Sequence, residues 1–371
     1  MRLLDRYLLR ELVVPLGYCL GGFLIFWISF DLLTQLENFQ QHKLRGPDVI
    51  EYYFVKAPEF LVVVLPVALL LALLYALTNH ARHHEMTAIR AAGISLWRLA
   101  APYFGVGFAA SLVLFGLNEG CVPDSTDAAE QVLNRRTRPA VAARTKWHEK
   151  LAFENTRDGR SWLLDFNPET LEMRNIHVDW RQRDGSRRVL AAGRGVRTNG
   201  VWLFFNVQAH TEIPGTVFPV NRNLTNALAL PEFSETPEEI KSEIKINRQS
   251  GSSRIKRAEV PLPDLLDYLR LHPVLPPKDR RWIFTQLHGR LAAPWTCLVV
   301  VLIAIPFGAA SGRRNVFFGV AGSVFICFSY FVLLQLGLAL GTGGHLPPWF
   351  AAWFPNLAFG LTGAWLTARV R

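Results

Sequence analysis

The sequence is poor in the features that usually betray chemistry. Its 371 residues include only four cysteines, Cys19, Cys121, Cys297 and Cys327, and none falls deep in the long polar middle of the chain. Neither a disulfide framework nor a cysteine-rich metal site is indicated. No lysine follows a glycine anywhere, so no P-loop can cradle nucleotide phosphates. No H-E-x-x-H occurs either, and no Ser/His/Asp set can be argued from one sequence. An enzyme has no residue to stand on. The deepest deficit is in charge. Residues 315 to 368, 54 in all, contain no Asp, Glu, Lys or Arg. That is far more than the roughly 20 residues one membrane helix needs. The run Gly341-Thr342-Gly343-Gly344-His345-Leu346-Pro347-Pro348 cuts it once, with residues suited to ending one helix and starting another. The stretch reads as a membrane hairpin.

Four further charge-free windows are long enough to span: Leu12 to Phe30, Phe60 to Asn79, Leu99 to Asn118 and Leu291 to Gly312. With the hairpin they make six spans, three early and three late. Pro15, Pro66, Pro102, Pro294, Pro306 and Pro355 lie inside them and are tolerated in membrane helices. A barrel is disfavoured, because its strands alternate and give no solid apolar runs. The first window is too long for a signal-peptide core and no A-x-A site follows it, so an uncleaved first helix is expected.

An even count puts both termini on one side of the membrane. One set of flanks carries Arg2, Arg6, Arg10, Arg82, Arg90, Arg98, Arg313, Arg314, Arg369 and Arg371, the other only Lys43, Arg45 and Lys56. The positive-inside rule then assigns both termini to the cytoplasm and residues 119 to 290 to the far side. The formal net charge of +10 is explained by such flanks. With no basic stripe interleaved with aromatics, nucleic acid is not an expected partner.

Past Arg144 the pattern turns from solid apolar to alternating. Ser161 to Phe166, Ile176 to Trp180 and Val201 to Val207 are rich in β-branched and aromatic residues. Asp158-Gly159, Asn167-Pro168, Asp184-Gly185 and Asn199-Gly200 lie between or beside them as turn signals. This predicts one small antiparallel sandwich or open barrel. Residues 231 to 257 are polar and read as a loop or a weakly ordered strand connection. Leu265, Leu266, Tyr268 and Leu269 form a short amphipathic stretch after Pro261-Leu262-Pro263. It suits either the membrane surface or a linker helix packed on the β domain.

Candidate sites are few. Ion-coupled transport calls for ionisable groups inside the membrane, and the window cores have none. Asp31, at the outer end of the first window, reads as interfacial, with substrate contact as its alternative role. His80 and His84 have the i, i+4 spacing of a metal pair, but a polar helix face explains them more simply. The most telling loop is His80 to Arg98. Met86, Ile89, Gly93 and Leu96/Trp97 share a stripe, and Arg82, Glu85 and Arg90 decorate it. The small residues Ala88, Ala91, Ala92 and Gly93 are poor lipid anchors and good for close packing. A helix docking into a groove of a cytoplasmic partner is favoured over a lipid-facing one.

Four segments carry a resemblance. They are Leu4-Asp5-Arg6-Tyr7-Leu8-Leu9-Arg10-Glu11, Glu85 through Ser95, His288-Gly289-Arg290-Leu291-Ala292-Ala293-Pro294, and Leu346-Pro347-Pro348 followed by Ala351 to Leu357. Along its whole length the chain resembles the lipopolysaccharide-export permeases, the LptF/LptG family, with the short 313–314 loop and Gly-Pro-rich ending nearer the LptG branch. The resemblance implies an α-helical six-span permease with an inserted periplasmic β-sandwich, jellyroll-like domain. The division it suggests is 1–122 for the first three spans with a coupling helix near 80–98, 123–275 for the β domain and its connecting segment, and 276–371 for the last three spans. It implies a non-catalytic subunit of an ABC exporter in the inner membrane, without a cofactor of its own. Its partners would be a cytoplasmic LptB-like ATPase dimer, a second permease of the family, a periplasmic LptC/LptA-like bridge, and lipopolysaccharide.

Residue by residue, Glu85, Met86, Ile89, Arg90, Ala92 and Gly93 would form the ATPase-coupling helix. The first and fifth spans would line the lipid cavity. The chain departs from the family at Gln286, where an acidic residue is common, and at Thr34, Gln35 and Glu37, where basic residues for lipid phosphates are common in the LptG branch. Lys43 and Arg45, with Asp31, are then the expected headgroup contacts. The alternative from another class is a membrane-anchored assembly factor presenting its β domain to periplasmic partners.

Overall fold

A computed structural model describes residues 3–135, 147–182, 185–212, 220–250, 260–309 and 316–369. Arg2, Arg313, Arg314 and Arg371 of the charge argument lie outside the described residues, as do residues 251–257 of the polar run, Asp184 of the turn signals, and the side chains of Arg90 and Cys327. The chain divides into two compact units. One comprises 1–137, 256–259 and 281–371, the other 138–255 and 260–280.

In chain order the elements are α1 (Leu3–Gln41), α2 (Gly46–Arg82), α3 (Glu85–Ala91), α4 (Leu96–Gly116), a π-helical turn (Leu117–Cys121) and α5 (Val122–Asn134). Six strands follow: β1 (His148–Asn155), β2 (Arg160–Asn167), β3 (Glu172–Arg181), β4 (Arg187–Thr198), β5 (Val201–Glu212) and β6 (Val220–Leu230). Then come α6 (Pro237–Ser250), α7 (Leu262–Leu271), α8 (Pro277–Ala292), a 3₁₀ turn (Ala293–Trp295), α9 (Thr296–Ala309), α10 (Val316–Gly343) and α11 (Pro348–Arg369).

Among the described residues, four helical stretches are long and apolar enough to cross a membrane: Leu3–Gln41, Gly46–Arg82, Leu96–Ser125 and Pro277–Pro306. Phe328–Gly343 is a shorter apolar helix. The turn expected at 341–348 is present. Gly344 takes φ +82° to end α10, His345 N–H returns to the Leu340 carbonyl at 2.9 Å, and Pro348 opens α11. α5 packs on α1 and α2 through Phe39, Tyr52, Tyr53, Ala129 and Val132. The helical unit therefore runs past the expected boundary at 122.

Apolarity alone cannot order helices in lipid, so close contacts and buried hydrogen bonds do it. Gly337 and Gly341 of α10 face Ala351 of α11 so closely that a Cβ on Gly337 would overlap the Ala351 carbonyl oxygen. Gly363 lies against the backbone of Leu302 and Ile303. A polar chain ties the same helices together. Thr296 Oγ1 is 2.7 Å from the Tyr330 hydroxyl, which donates to Asn356 Oδ1 at 2.8 Å. Asn356 Nδ2 in turn donates to the Ala292 carbonyl at 2.8 Å, beside the place where Pro294 interrupts the helical ladder.

The six strands form one antiparallel sheet in the order β1-β2-β3-β4-β5-β6. Among the described residues the β domain is thus an up-and-down meander, each strand pairing with its neighbours in sequence, and the crossed connections of a jellyroll are not among the pairings seen. Asn199 and Gly200, both at positive φ, make the tight β4–β5 turn that the Asn-Gly pair signalled. Phe153, Trp162, Val178, Leu190 and Ala209 are register partners in one row, all buried. Gly195 lies between Met173 and Phe204. A Cβ there would meet Ile176 at 2.8 Å and the Phe204 ring at 3.2 Å.

A polar seam crosses the sheet. Asn175 sits opposite Gly193, and Gly193 opposite Asn206. At that row the buried positions skip by three residues instead of two: Ile176 to Met173, Ala192 to Gly195, Val207 to Phe204. β2 keeps its plain alternation through Trp162, Leu164 and Phe166, so the extra row ends in a bulge against it. Asn175 and Asn206 are left-handed, as is Lys150 in β1. The Asp165 carboxylate accepts from Lys150 N–H at 2.8 Å and from Asn175 Nδ2 at 2.7 Å.

The polar run at 231–257 contains a helix, which the sequence reading missed. Thr236 and Glu239 form a reciprocal cap, with Thr236 N–H to Glu239 Oε2 at 2.7 Å and Glu239 N–H to Thr236 Oγ1 at 3.2 Å. α7, the amphipathic stretch, packs on α6 and buries Leu265 and Leu271.

Candidate functional site

The segment between α2 and α4 is built by two left-handed residues. α2 stops at Arg82, and His84 at φ +57° redirects the chain into the seven-residue α3. α3 ends at Gly93, φ +81°, with Ile94 N–H returning to the Ile89 carbonyl at 3.4 Å. This is a glycine-terminated helix end, in which a returning N–H satisfies one of the last carbonyls. Ser95 then caps α4 by accepting from Arg98 N–H at 3.3 Å.

The six coupling candidates do not share one face. Met86 is buried in the main helical core and Ile89 packs against it. Ala92 and Gly93 are exposed, together with Thr87, Ala88 and Ala91. Arg90 lies in α3 with its side chain outside the described residues. Glu85 is half-buried and turned toward its own chain. The Tyr7 hydroxyl donates to its two oxygens at 3.2 and 3.0 Å, and His80 Nδ1 lies 2.7 Å from Oε2. Burial pushes the Glu85 carboxyl up, but the hydrogen bonds from His80 and Tyr7 outweigh this and hold its pKa below the ordinary value.

His80 and His84 are separated, His80 buried beside Tyr7 and His84 exposed. A second tie joins the start of α1 to α4, as Arg98 Nη2 meets Asp5 at 3.0 Å. Residues 93 to 97 also border an open cleft of about 320 Å³ whose other wall is Thr367 and Ala368.

At the opposite end of α1, Asp31 pairs with Lys56 rather than with Lys43 or Arg45. Lys56 Nζ is 3.5 Å from Asp31 Oδ2, and the Tyr53 hydroxyl donates to the same oxygen at 3.1 Å. The ammonium also sits over the rings of Tyr52 and Phe60 at 5.3 and 5.2 Å. Lys43 lies exposed in the turn and Arg45 precedes α2 as its N-cap. The missed partner had a signal. Asp31 and Lys56 each lie ten residues inside their helix from the shared turn, which in an antiparallel pair is the same height.

The motif at 288–290 also has a structural partner. Arg290 is buried, and its Nη1 donates to the Asn118 carbonyl at 2.8 Å. Asn118 lies in the π-helical turn, where the widened ladder presents carbonyls outside the regular pattern. Gln286, at the departure from the family pattern, is buried in α8.

The match to known proteins spans both units. The family of lipopolysaccharide export system permeases LptF/LptG matches over residues 6–369, its two branches taken jointly. No curated protein matches the chain.

Proposed function

Since the chain belongs to the LptF/LptG family of lipopolysaccharide export permeases, we propose that it is a permease of an ABC exporter that lifts lipopolysaccharide out of the inner membrane under the drive of a separate cytoplasmic ATPase. The family is one of non-catalytic, multi-pass inner-membrane proteins working within the lipopolysaccharide transport system. In our reading six spans carry both termini in the cytoplasm, and the β domain on the far side passes lipid to a periplasmic bridge. A second permease of the family completes the pair. Asp31, Lys43 and Arg45 meet the headgroup.

The physical constraint on the mechanism is the acyl chains. Each methylene exposed to water costs about 0.8 kcal/mol, so a lipid with several chains must pass from bilayer to apolar cavity to apolar β hollow without being solvated. The flank of α1 suits the first wall, with Val13, Val14, Tyr18, Ile25, Phe26 and Phe30 exposed along it. The aromatic-lined interior of the sheet suits the last.

The observation that carries the coupling role is α3 itself, a short helix between two long ones whose exposed side is Thr87, Ala88, Ala91, Ala92 and Gly93. Such a face admits close approach by a groove. In proteoliposomes holding the permease pair and the ATPase, Ala92→Arg is expected to abolish retention of the ATPase and ATP-dependent release of lipopolysaccharide. Wild-type retention and release in that variant refute the docking assignment.

A further inference from the structure

α1 is attached to its bundle unevenly. At 39 residues it is a rod about 58 Å long at 1.5 Å per residue. Its buried residues are Leu8 and Leu12 near one end and Phe39 near the other. The bonds from its N-terminal turns converge on the coupling segment. Tyr7 reaches Glu85 at the start of α3, and Asp5 reaches Arg98 just beyond the segment's end. His80, at the close of α2, holds the same carboxylate, and its ring tilts against Tyr7 at 5.6 Å.

We propose that Tyr7–Glu85–His80 and Asp5–Arg98 form a double clasp that fastens both ends of the coupling segment to the base of α1, so that displacement of α3 by the ATPase is delivered to the lipid-facing rod. This rests on the permease reading above and assigns Glu85 a positioning role inside the chain. Three features support it. The Glu85 carboxylate takes bonds from two elements other than its own, which a purely outward-facing docking residue does not need. Met86, the next residue, is buried in the core that also contains Leu8 and Leu12, so α3 and the base of α1 share packing as well as hydrogen bonds. The exposed face of α3 is left free for a partner, and docking does not compete with the clasp.

The test uses the complete exporter in proteoliposomes, with three readouts: ATPase retained, ATP hydrolysed, and lipopolysaccharide released per ATP. Tyr7→Phe removes one hydroxyl and keeps the ring. It is expected to retain the ATPase and its hydrolysis while release per ATP falls at least about fivefold, the lower end of typical coupling between sites. Residues acting through one contact are non-additive, so Tyr7→Phe combined with Glu85→Gln should be no worse than the weaker single variant. Asp5→Arg and Arg98→Asp should each lower release per ATP, and the swapped pair should restore it. Undiminished release per ATP in Tyr7→Phe, additive losses in the double variant, or failure of the swap overturns the clasp. Absence of ATP-dependent release in the unsubstituted protein overturns the permease reading itself, and the clasp with it.

Discussion

The two units solve the same packing problem by opposite means. In the β unit, burial follows a pattern any strand obeys: Trp162, Leu164 and Phe166 point in, while Ser161 before them and Leu163 between them point out. In the helical unit apolarity carries little information about inside and outside. α1 and α2 are similar in length and both apolar, yet 6% of the most apolar window of α1 is buried against 72% of that of α2. Lipid is as apolar as a protein core, so nothing in either composition penalises exposure. Specificity in the helical unit falls to glycines at contacts and to a few buried polar bonds. In the β unit it falls to large side chains and to charged groups locked at the sheet's margin. Arg160 shows the latter, fully buried beneath Trp180 and Phe233 and donating to the Glu232 carbonyl at 2.7 Å.

That contrast can be broken by substitution, and the largest effect is expected in the β unit. Trp162→Ala should destabilise that unit by about 3–5 kcal/mol, the cost of deleting a buried aromatic. Leu163→Ala next to it should change stability by less than about 0.5 kcal/mol. Hydrogen exchange of the β2 and β3 amides in the full-length protein separates the two. Equal exchange in both variants would contradict the assigned faces.

A second expectation concerns pH. Glu243 of α6 and His272 just beyond α7 are buried 3.3 Å apart, with Tyr268 stacked on the imidazole at 4.3 Å. Burial pushes the Glu243 carboxyl up to about 8 from an ordinary 4.5, and burial lowers the His272 pKa. The folded unit therefore keeps a proton on Glu243 that the unfolded chain has released. Stability contributed by this group is present below pH 4.5 and is lost as pH rises toward 8. His272 acts in the other direction, since the unfolded chain takes up its proton first and stability falls as pH drops below about 6.5. Glu243→Gln should abolish the alkaline loss and leave the acidic one. Exchange protection of α6 measured from pH 5 to 9 checks this, and an alkaline loss that survives the substitution counts against it.

The helical unit should yield smaller changes. Gly337→Leu forces α10 away from Ala351 and should cost about 1–3 kcal/mol, as overpacking does. Phe26→Leu on the exposed side of α1 should cost almost nothing. Thermal denaturation of the detergent-solubilised protein compares them. Among the buried positions the smaller loss is expected for Asn356→Leu, about 1 kcal/mol, typical of hydrogen bonds between membrane helices. Tyr330→Phe in that background should then cost only what the remaining bond to Thr296 contributes.

The same contrast explains what could be read from the chain. The early spans were legible because a charge-free run of about 20 residues has few alternatives. Leu12 to Phe30 and Phe60 to Asn79 both fall inside long helices. β2, β3 and β5 were legible from aromatic and β-branched alternation. β1, β4 and β6 were not. β4 carries Arg187, Arg188, Gly193, Arg194, Gly195 and Arg197, a poor strand by composition that exists because its neighbours pair with it on both sides and need Gly195 to admit Phe204. α6 was hidden by its polarity, although Thr236-Pro237-Glu238-Glu239 spelled a helix start. In the segment between α2 and α4 the residue types were visible, but their directions were not. That Glu85 turns inward depends on Tyr7 and His80, one of them 78 positions away.

The seam of Asn175, Gly193 and Asn206 limits how this domain can change over generations. Losing any one of those residues alone would invert every side chain on one half of its strand, sending aromatics into water and charges into the hollow. Length changes there are tolerable only in concert, across three neighbouring strands at once. The loops joining the strands can lengthen or shrink one residue at a time. Homologous domains should therefore vary freely at their rims while keeping a common count along this line.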